Sequence, residues 1–174
     1  MSLQFDTARL TLREFTLDDA PFILKLLNEP SFIEFIGDRL VRSIEDAERY
    51  LQDGPMASYR KHGHGLLRVG LKAEGIPIGM CGLVKRDTLP APDIGFALLP
   101  EFWNQGYVTE AARAAMDHGC RTLGITTILG ITQPGNVRSI AVLRKLGLSF
   151  VEEKALGDKP EPLKIFRLSV NSAA

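Results

Sequence analysis

The sequence predicts an α/β fold of the α+β kind: one mixed, mostly antiparallel sheet of about seven strands flanked by four helices. Three observations predict it. The hydrophobic period changes along the chain in the order β-α-α-β-β-β-α-β-α-β-β, which a regular βα alternation would not give. The gaps between the three middle strands are turn-sized, and antiparallel neighbours accept such gaps whereas parallel ones need a long crossover. Finally, 174 residues with 45% hydrophobic and 24% charged side chains suit one good core and are short for two, so residues 1–174 read as a single domain.

The elements follow in order. Arg9-Leu-Thr-Leu-Arg-Glu-Phe15 alternates polar and apolar residues, the period of a half-buried strand. Thr16-x-x-Asp19 precedes the apolar set Phe22, Ile23, Leu26 and Leu27, with Pro21 in the first turn, which marks a capped helix start. Ser43-Ile-Glu-Asp46 repeats that signal before a short helix expected to end near Gly54-Pro55. The segment between Asn28 and Gly65 is the expected lid or acceptor wall. Leu66 to Leu71, Ile76 to Val84 and Asp93 to Leu99 read as strands separated by Gly75 and by Asp87-Thr-Leu-Pro90. Thr109 to His118 is rich in helix formers and stops near Gly119 or Gly124. Ile125 to Thr132 is a buried strand, and Asn136 caps a helix that Gly147 ends. Two strands, Ser149 to Leu156 and Leu163 to Val170, close the chain.

Composition removes several function classes. Lys plus Arg equals Asp plus Glu at 21 each, so the basic field of a nucleic-acid binder is missing and no nucleic-acid partner is expected. The N-terminus lacks the apolar core of a signal peptide, and no run approaches the ~18 apolar residues of a spanning helix. No membrane association is expected. Two cysteines, Cys81 and Cys120, allow one disulfide at most, and a reducing cytoplasm is the simpler setting. His62-Gly-His64-Gly lacks Cys, Asp or Glu partners at metal-ligand spacing; it reads as a surface loop, and no metal is expected.

The informative stretch runs from Asp93 to Ala112. A strand reaches Pro100, crosses a short loop and enters a helix just after Gly106. Helix N-termini leave backbone N–H groups unpaired beside a positive partial charge, and a glycine lets a phosphate approach them. The same pattern also serves as a plain strand-to-helix turn. Neither Gly-x-x-x-x-Gly-Lys-Ser/Thr nor a strand-borne Gly-x-Gly-x-x-Gly is present.

Three linked motifs sharpen this. Pro100-Glu-Phe-Trp-Asn-Gln-Gly-Tyr-Val-Thr-Glu-Ala111 resembles the acetyl-coenzyme A signature of the GNAT N-acetyltransferase superfamily, in the branch of ribosomal-protein N-terminal (Rim-type) acetyltransferases. Asn136-Val-Arg-Ser-Ile-Ala-Val-Leu-Arg-Lys-Leu-Gly147 is similar to that branch's Asn-x-x-Ser-x-x-x-Leu-x-Lys-x-Gly, and Thr7-Ala-Arg-Leu-Thr-Leu-Arg13 to its first strand. The matches span nearly the whole chain in the family's order. Asn104 stands where the branch has its first Gly, Val108 where the signature ends in Gly or Ala, and Leu148 where Phe is usual.

The resemblance implies a GNAT-like fold and transfer of an acetyl group from acetyl-CoA to a primary amine, a peptide N-terminus or a small molecule, by direct attack in a ternary complex. Trp103, Asn104, Gln105, Gly106, Tyr107, Val108 and Thr109 would hold the pyrophosphate. Phe96, Ala97 and Leu98 would offer backbone contacts to the pantetheine arm, and Asn136 a further hydrogen bond. Arg144 or Lys145 would meet the 3′-phosphate, unless both belong to a solvated helix face. Many relatives place an acidic tyrosine where this chain has Leu143, so Ser139 is the candidate acid. Asp93 is the candidate base, or else a strand-entry residue. Deprotonating a lysine-like amine at pH 7 costs ~4.6 kcal/mol and an α-amine only ~1.4, which favours a peptide N-terminus. The chain would act as a monomer or homodimer. The altered loop and missing tyrosine leave a second expectation, a catalytically weak acyl-CoA-binding sensor.

Overall fold

Among residues 2–170, which the computed structural model describes, the strands are β1 (Gln4–Asp6), β2 (Leu10–Arg13), β3 (Leu66–Leu71), β4 (Pro77–Val84), β5 (Asp93–Leu98), β6 (Thr127–Thr132), β7 (Ser149–Lys154) and β8 (Leu163–Ser169). They form one sheet in the order β1-β2-β3-β4-β5-β6-β8-β7. Every pairing is antiparallel except β5 with β6. The helices are α1 (Ala20–Leu27), α2 (Pro30–Phe35), α3 (Ile44–Leu51), α4 (Ala57–His62), α5 (Tyr107–Thr122) and α6 (Val137–Lys145). No described helix is long and apolar enough to cross a membrane.

The strand period divides the core. Leu10, Leu12, Leu67, Val69 and Ile78 point to one face, where Ala111, Ala112 and Ala115 of α5 and Ile140 and Leu143 of α6 cover them. Met80 and Ala97 point to the other, beneath Ile23, Leu26 and Leu27 of α1 and Ala47 and Leu51 of α3. The small residues of α5 let the helix lie close to the sheet. A Cβ on Gly119 would fall 2.3 Å from Leu83 Cδ1, so this glycine is a packing position and the helix runs through it. The stop falls at Thr122, before Gly124 at φ +68°.

Several expectations need correction. The sheet has eight strands rather than seven, because Gln4–Asp6 pairs with Thr11–Arg13; three residues are too few to display a period. Helix α2 starts at Pro30, which sits at its first position where a missing N–H costs nothing, but its six residues fall short of one helical repeat pattern. The helix after Ser43 does not stop at Gly54-Pro55. Residues Gln52–Met56 form a π-helical turn that joins α3 to α4, and the wider turn accommodates a proline that a regular α-helical ladder excludes. The helix ends instead at Gly63, φ +75°. The cap signals hold: Asp19 Oδ2 accepts from Thr16 N at 2.9 Å and Ser43 Oγ from Asp46 N at 3.1 Å. Cys81 and Cys120 are both free thiols.

One irregularity positions the site. On one side β5 pairs with β4 all the way from Asp93↔Val84 to Leu98↔Gly79. On the other, its parallel pairing with β6 has a single register point, Asp93↔Leu129, secured by Leu129 N donating to Pro92 O at 2.9 Å. Beyond Asp93 the two strands diverge, while β6 pairs with β8 from Thr127 to Thr132. The sheet is forked in its middle.

Candidate active site

Backbone direction in the fork follows from strand alternation. Leu99 N donates to Ile78 O of the β4 side, whereas Pro92 O accepts from Leu129 of β6. Even-numbered residues of β5 therefore turn their N–H and C=O groups toward the fork and odd-numbered ones toward β4. Ile94, Phe96 and Leu98 present backbone to the cleft. Ala97 does not: its carbonyl faces β4, close enough to lie 2.2 Å from a Cβ built on Gly79. The expected backbone contact from Ala97 is corrected on this ground, and its methyl group packs on the α1/α3 face instead. Leu98 O is also taken, accepting from Trp103 Nε1 at 3.0 Å. The N–H and C=O of Phe96 and the N–H of Leu98 remain.

At the open end of the fork lies the loop from Trp103 to Gly106. Asn104 has φ +60° and Gly106 φ +80°, both left-handed; asparagine tolerates this region better than most side chains, which explains how Asn104 replaces a glycine. Gly106 is the N-cap of α5 and brings no side-chain cap. The first turn of α5 closes with Glu110 N donating to Gly106 O at 3.1 Å. Among the described residues, the N–H groups of Asn104, Gln105, Gly106, Tyr107, Val108 and Thr109 meet no acceptor. Six successive free donors at a helix N-terminus form an anion cradle. Val108 packs against the core, so the valine that replaces Gly or Ala does not fill the cradle.

A brace holds this loop from behind. Glu110 Oε1 accepts from Thr7 Oγ1 at 2.7 Å and from Arg9 N at 2.8 Å, and Oε2 from Arg9 Nε at 2.7 Å. Arg9 Nη1 in turn donates to Gln105 O at 2.9 Å, and its guanidinium lies 4.3 Å above the Tyr107 ring. Burial raises the Glu110 carboxyl, but the bonds from Thr7 and Arg9 outweigh it and hold the group below the usual glutamate value. Two distant motifs, Thr7-x-Arg9 and Thr109-Glu110, are thus one structural unit. Nothing in their spacing revealed the link.

The first turn of α6 faces the same loop. Asn136 is its N-cap, with Oδ1 accepting from Ser139 N at 3.2 Å. Its carbonyl is spent on the helix and only Nδ2 is left for a ligand. Arg138, between them, places its guanidinium 4.2 Å over the Trp103 ring, so the fork is bridged at its mouth by a cation–π pair worth ~0.5–1 kcal/mol at an exposed site. Arg113 of α5 donates Nη2 to Lys145 O at 3.1 Å, which sets it with exposed Arg144 and Lys145 at the α5–α6 seam. Arg113 and Arg138 carried no motif and were missed. Leu143 is buried at 1% exposure, and a Cβ on Gly130 would sit 2.5 Å from its Cδ2. Its side chain belongs to the core, not to the cleft.

At the closed end stands Asp93, 1% exposed, on the α1/α3 face of the sheet. Its Oδ1 accepts from Arg86 Nε at 2.8 Å. Burial pushes this carboxyl above the usual aspartate value, opposed by the charge and hydrogen bond of Arg86. Leu89, Leu129 and Ile165, with Ala91, Ile131 and Leu156, floor this corner. Farther along, toward the open end, Gln133 after β6 donates Nε2 to Glu34 O of α2 at 3.1 Å. Tyr50 of α3 packs against the α1/α3 core. Burial raises its phenol, and the guanidiniums of Arg39 and Arg86 pull the other way. His64 is not part of the site, since its Nδ1 lies 2.7 Å from Leu83 O. No cluster of His, Cys, Asp or Glu able to hold a metal exists among the described residues.

Comparison with known proteins agrees with this geometry. The family model described as the acetyltransferase (GNAT) domain matches residues 9–149. The uncharacterized N-acetyltransferase YnaD of Bacillus subtilis is 25% identical over 146 residues, 84% of this chain and 82% of its own. An acetyltransferase from Agrobacterium tumefaciens str. C58 superposes with a TM-score of 0.81 at 26% identity, covering 95% of this chain and 94% of that one. RimL, a ribosomal L7/L12 alpha-N-protein acetyltransferase solved with coenzyme A, shares the fold at a TM-score of 0.85 and 16% identity, over 98% of this chain and 100% of that one.

Proposed function

The chain belongs to the GNAT acetyltransferase domain family, and from that premise we propose that it moves the acetyl group of acetyl-CoA to the α-amine of a peptide or of a small molecule by direct attack. The observation that carries the proposal is the run of free N–H groups from Asn104 to Thr109 at the open end of a fork in the sheet. Each charge-assisted contact to a phosphate contributes ~1.5–3 kcal/mol, and several together anchor a diphosphate. The pantetheine arm then extends along β5, bonding to the backbone of Phe96 and Leu98. From Leu98 back to Asp93 is about 17 Å of strand at ~3.3 Å per residue, which brings the thioester to the closed end.

The chemistry there needs two proton movements. The amine nitrogen forms a bond to the acetyl carbonyl carbon, the C–S bond breaks, the ammonium proton leaves the nitrogen and the thiolate gains one. Asp93 takes the first proton, through water because its carboxyl is 1% exposed; a carboxyl raised by burial is a better base than a solvated one. Ser139 supplies the second proton through water, because the first turn of α6 lies at the mouth of the fork and the thioester at its closed end. With this weak machinery an α-amine is the accessible acceptor, since ionised lysine-like amines cost ~3 kcal/mol more to deprotonate. Asn136 Nδ2 and the cations Arg113, Arg144 and Lys145 serve the arm and the 3′-phosphate.

Mass-spectrometric detection of an added acetyl group on peptides and small amines, with acetyl-CoA as donor, tests the proposal. Acetylated α-amines support it; acetylation of lysine side chains or polyamines alone sinks the substrate assignment. The burial of Leu143 in the core favours one alternative, an acyl-CoA sensor. Binding of acetyl-CoA without transfer to any amine would select the sensor.

A further inference from the structure

We propose that the acceptor carries a carboxylate close to its amine and that Arg86, anchored on Asp93, binds that carboxylate. This rests on the acetyltransferase function proposed above and narrows its substrate class. Arg86 lies on the connection between β4 and β5 and donates only Nε to Asp93. Its side chain is 39% exposed while that of Asp93 is 1% exposed. The buried carboxylate therefore fixes the guanidinium from below and leaves its outer edge to solvent. Among the described residues neither Nη atom meets an acceptor. A guanidinium is a planar fork of five N–H donors, so a free edge suits a second carboxylate gripped by two parallel bonds.

Position makes this edge relevant to the acceptor. Asp93 marks the one register point between β5 and β6, where the fork closes and the thioester would stop. The Arg86–Asp93 pair is formally neutral, and the acceptor's own ammonium balances its carboxylate. Asp87, the acid next to Arg86, is solvent-exposed. A polycationic acceptor would meet a guanidinium here, whereas an α-amine flanked by a carboxylate meets a receptor for each of its groups.

Two sources share this chemistry, a free amino acid and a peptide whose first residue is acidic. Leucine and leucine amide test the first, with rates compared per deprotonated amine at the assay pH because the two differ in amine basicity. Peptide amides that begin with Glu or Gln, matched in amine basicity, test the second. In the wild type one carboxylate member should exceed its neutral partner in kcat/KM by about tenfold or more, the low end of what one charge-assisted hydrogen bond contributes. That ratio should fall to near one in Arg86→Gln. Arg86→Lys keeps a cation on Asp93, which guards against misfolding, and should still lower the ratio because an ammonium cannot grip a carboxylate in a fork. A wild-type ratio near one for both pairs overturns the proposal, as does an unchanged ratio in either folded variant. Acetylation of neutral amines alone would do so while leaving the acetyltransferase function intact. Failure to bind acetyl-CoA would remove that function first and this proposal with it.

Discussion

Replacing Glu110 with alanine separates the shape of the phosphate loop from the fold beneath it. Glu110 accepts three hydrogen bonds, from Thr7 Oγ1, Arg9 N and Arg9 Nε. The Arg9 side chain is 45% exposed, so the ion pair contributes only ~0.5–1 kcal/mol after solvent screening. The Thr7 and backbone bonds add ~1 kcal/mol each. A stability loss of about 2–3 kcal/mol follows, or a fall of about 4–12 °C in Tm for a domain of this length. Ligand binding loses less. Only the tether from Arg9 Nη1 to Gln105 O, 2.9 Å long, reaches the loop, and its slackening costs ~1 kcal/mol, about a fivefold weaker Kd for acetyl-CoA. Calorimetric titration below the melting range measures this, with acetyl-pantetheine as the comparison donor. Because that donor has no pyrophosphate, its affinity should not change. Equal losses for both donors, or an unchanged acetyl-CoA affinity, would refute the brace. The pH dependence has a definite sign. The folded Glu110 lies below its ordinary value of 4.5, so the stability advantage of wild type over Glu110→Gln is full above that pH. It disappears as pH falls through the lower folded value.

Asp93→Asn should reduce kcat by about a hundredfold, the range of one general base, leave acetyl-CoA affinity unchanged and abolish the acidic limb of the pH–rate profile. Loss of acetyl-CoA binding instead would make Asp93 a strand-entry residue. Ser139→Ala should lower kcat by about tenfold or more without altering the KM for acetyl-CoA; an unaltered kcat would return Ser139 to the helix face. Leu143→Tyr should not supply the missing acid. The side chain would enter the space against Gly130 and cost ~1–3 kcal/mol by overpacking, seen in thermal melts, with no gain in kcat.

What could be read from sequence was whatever local chemistry writes plainly. The caps at Thr16, Ser43 and Asn136 and the strand-to-helix junction at Gly106 each depend on neighbours within four residues, and each stands where expected. The misses have physical reasons. Gln4–Asp6 and Pro30–Phe35 are shorter than the period that would betray them. Gly54-Pro55 reads as a stop because the π-helical turn that absorbs it is set by packing of buried Pro55 rather than by propensity. At the site, Asn104 and Val108 depart from the family pattern, yet asparagine tolerates the left-handed φ its position requires and Val108 packs against the core. Ala97 was misjudged because strand parity decides which carbonyl faces the fork, and parity cannot be fixed before the register is known. Glu110 and Arg9 act through partners as far as 103 residues away in sequence, beyond any local pattern, and Arg86 meets Asp93 only because the β4–β5 connection folds back.

Titration of acetyl-CoA into the wild type and into Gly106→Glu tests the central claim most directly. Gly106 sits at φ +80° with its missing Cβ 3.3 Å from Arg9 Nη2. Glutamate there costs ~1–2 kcal/mol of left-handed strain and sets a negative charge at the rim of the cradle. Loss of two charge-assisted contacts adds ~3–6 kcal/mol, so wild-type binding should become undetectable in the variant while its fold, checked by circular dichroism, persists. Binding of equal strength in both proteins would mean that the free N–H groups from Asn104 to Thr109 do not hold the cofactor's phosphates.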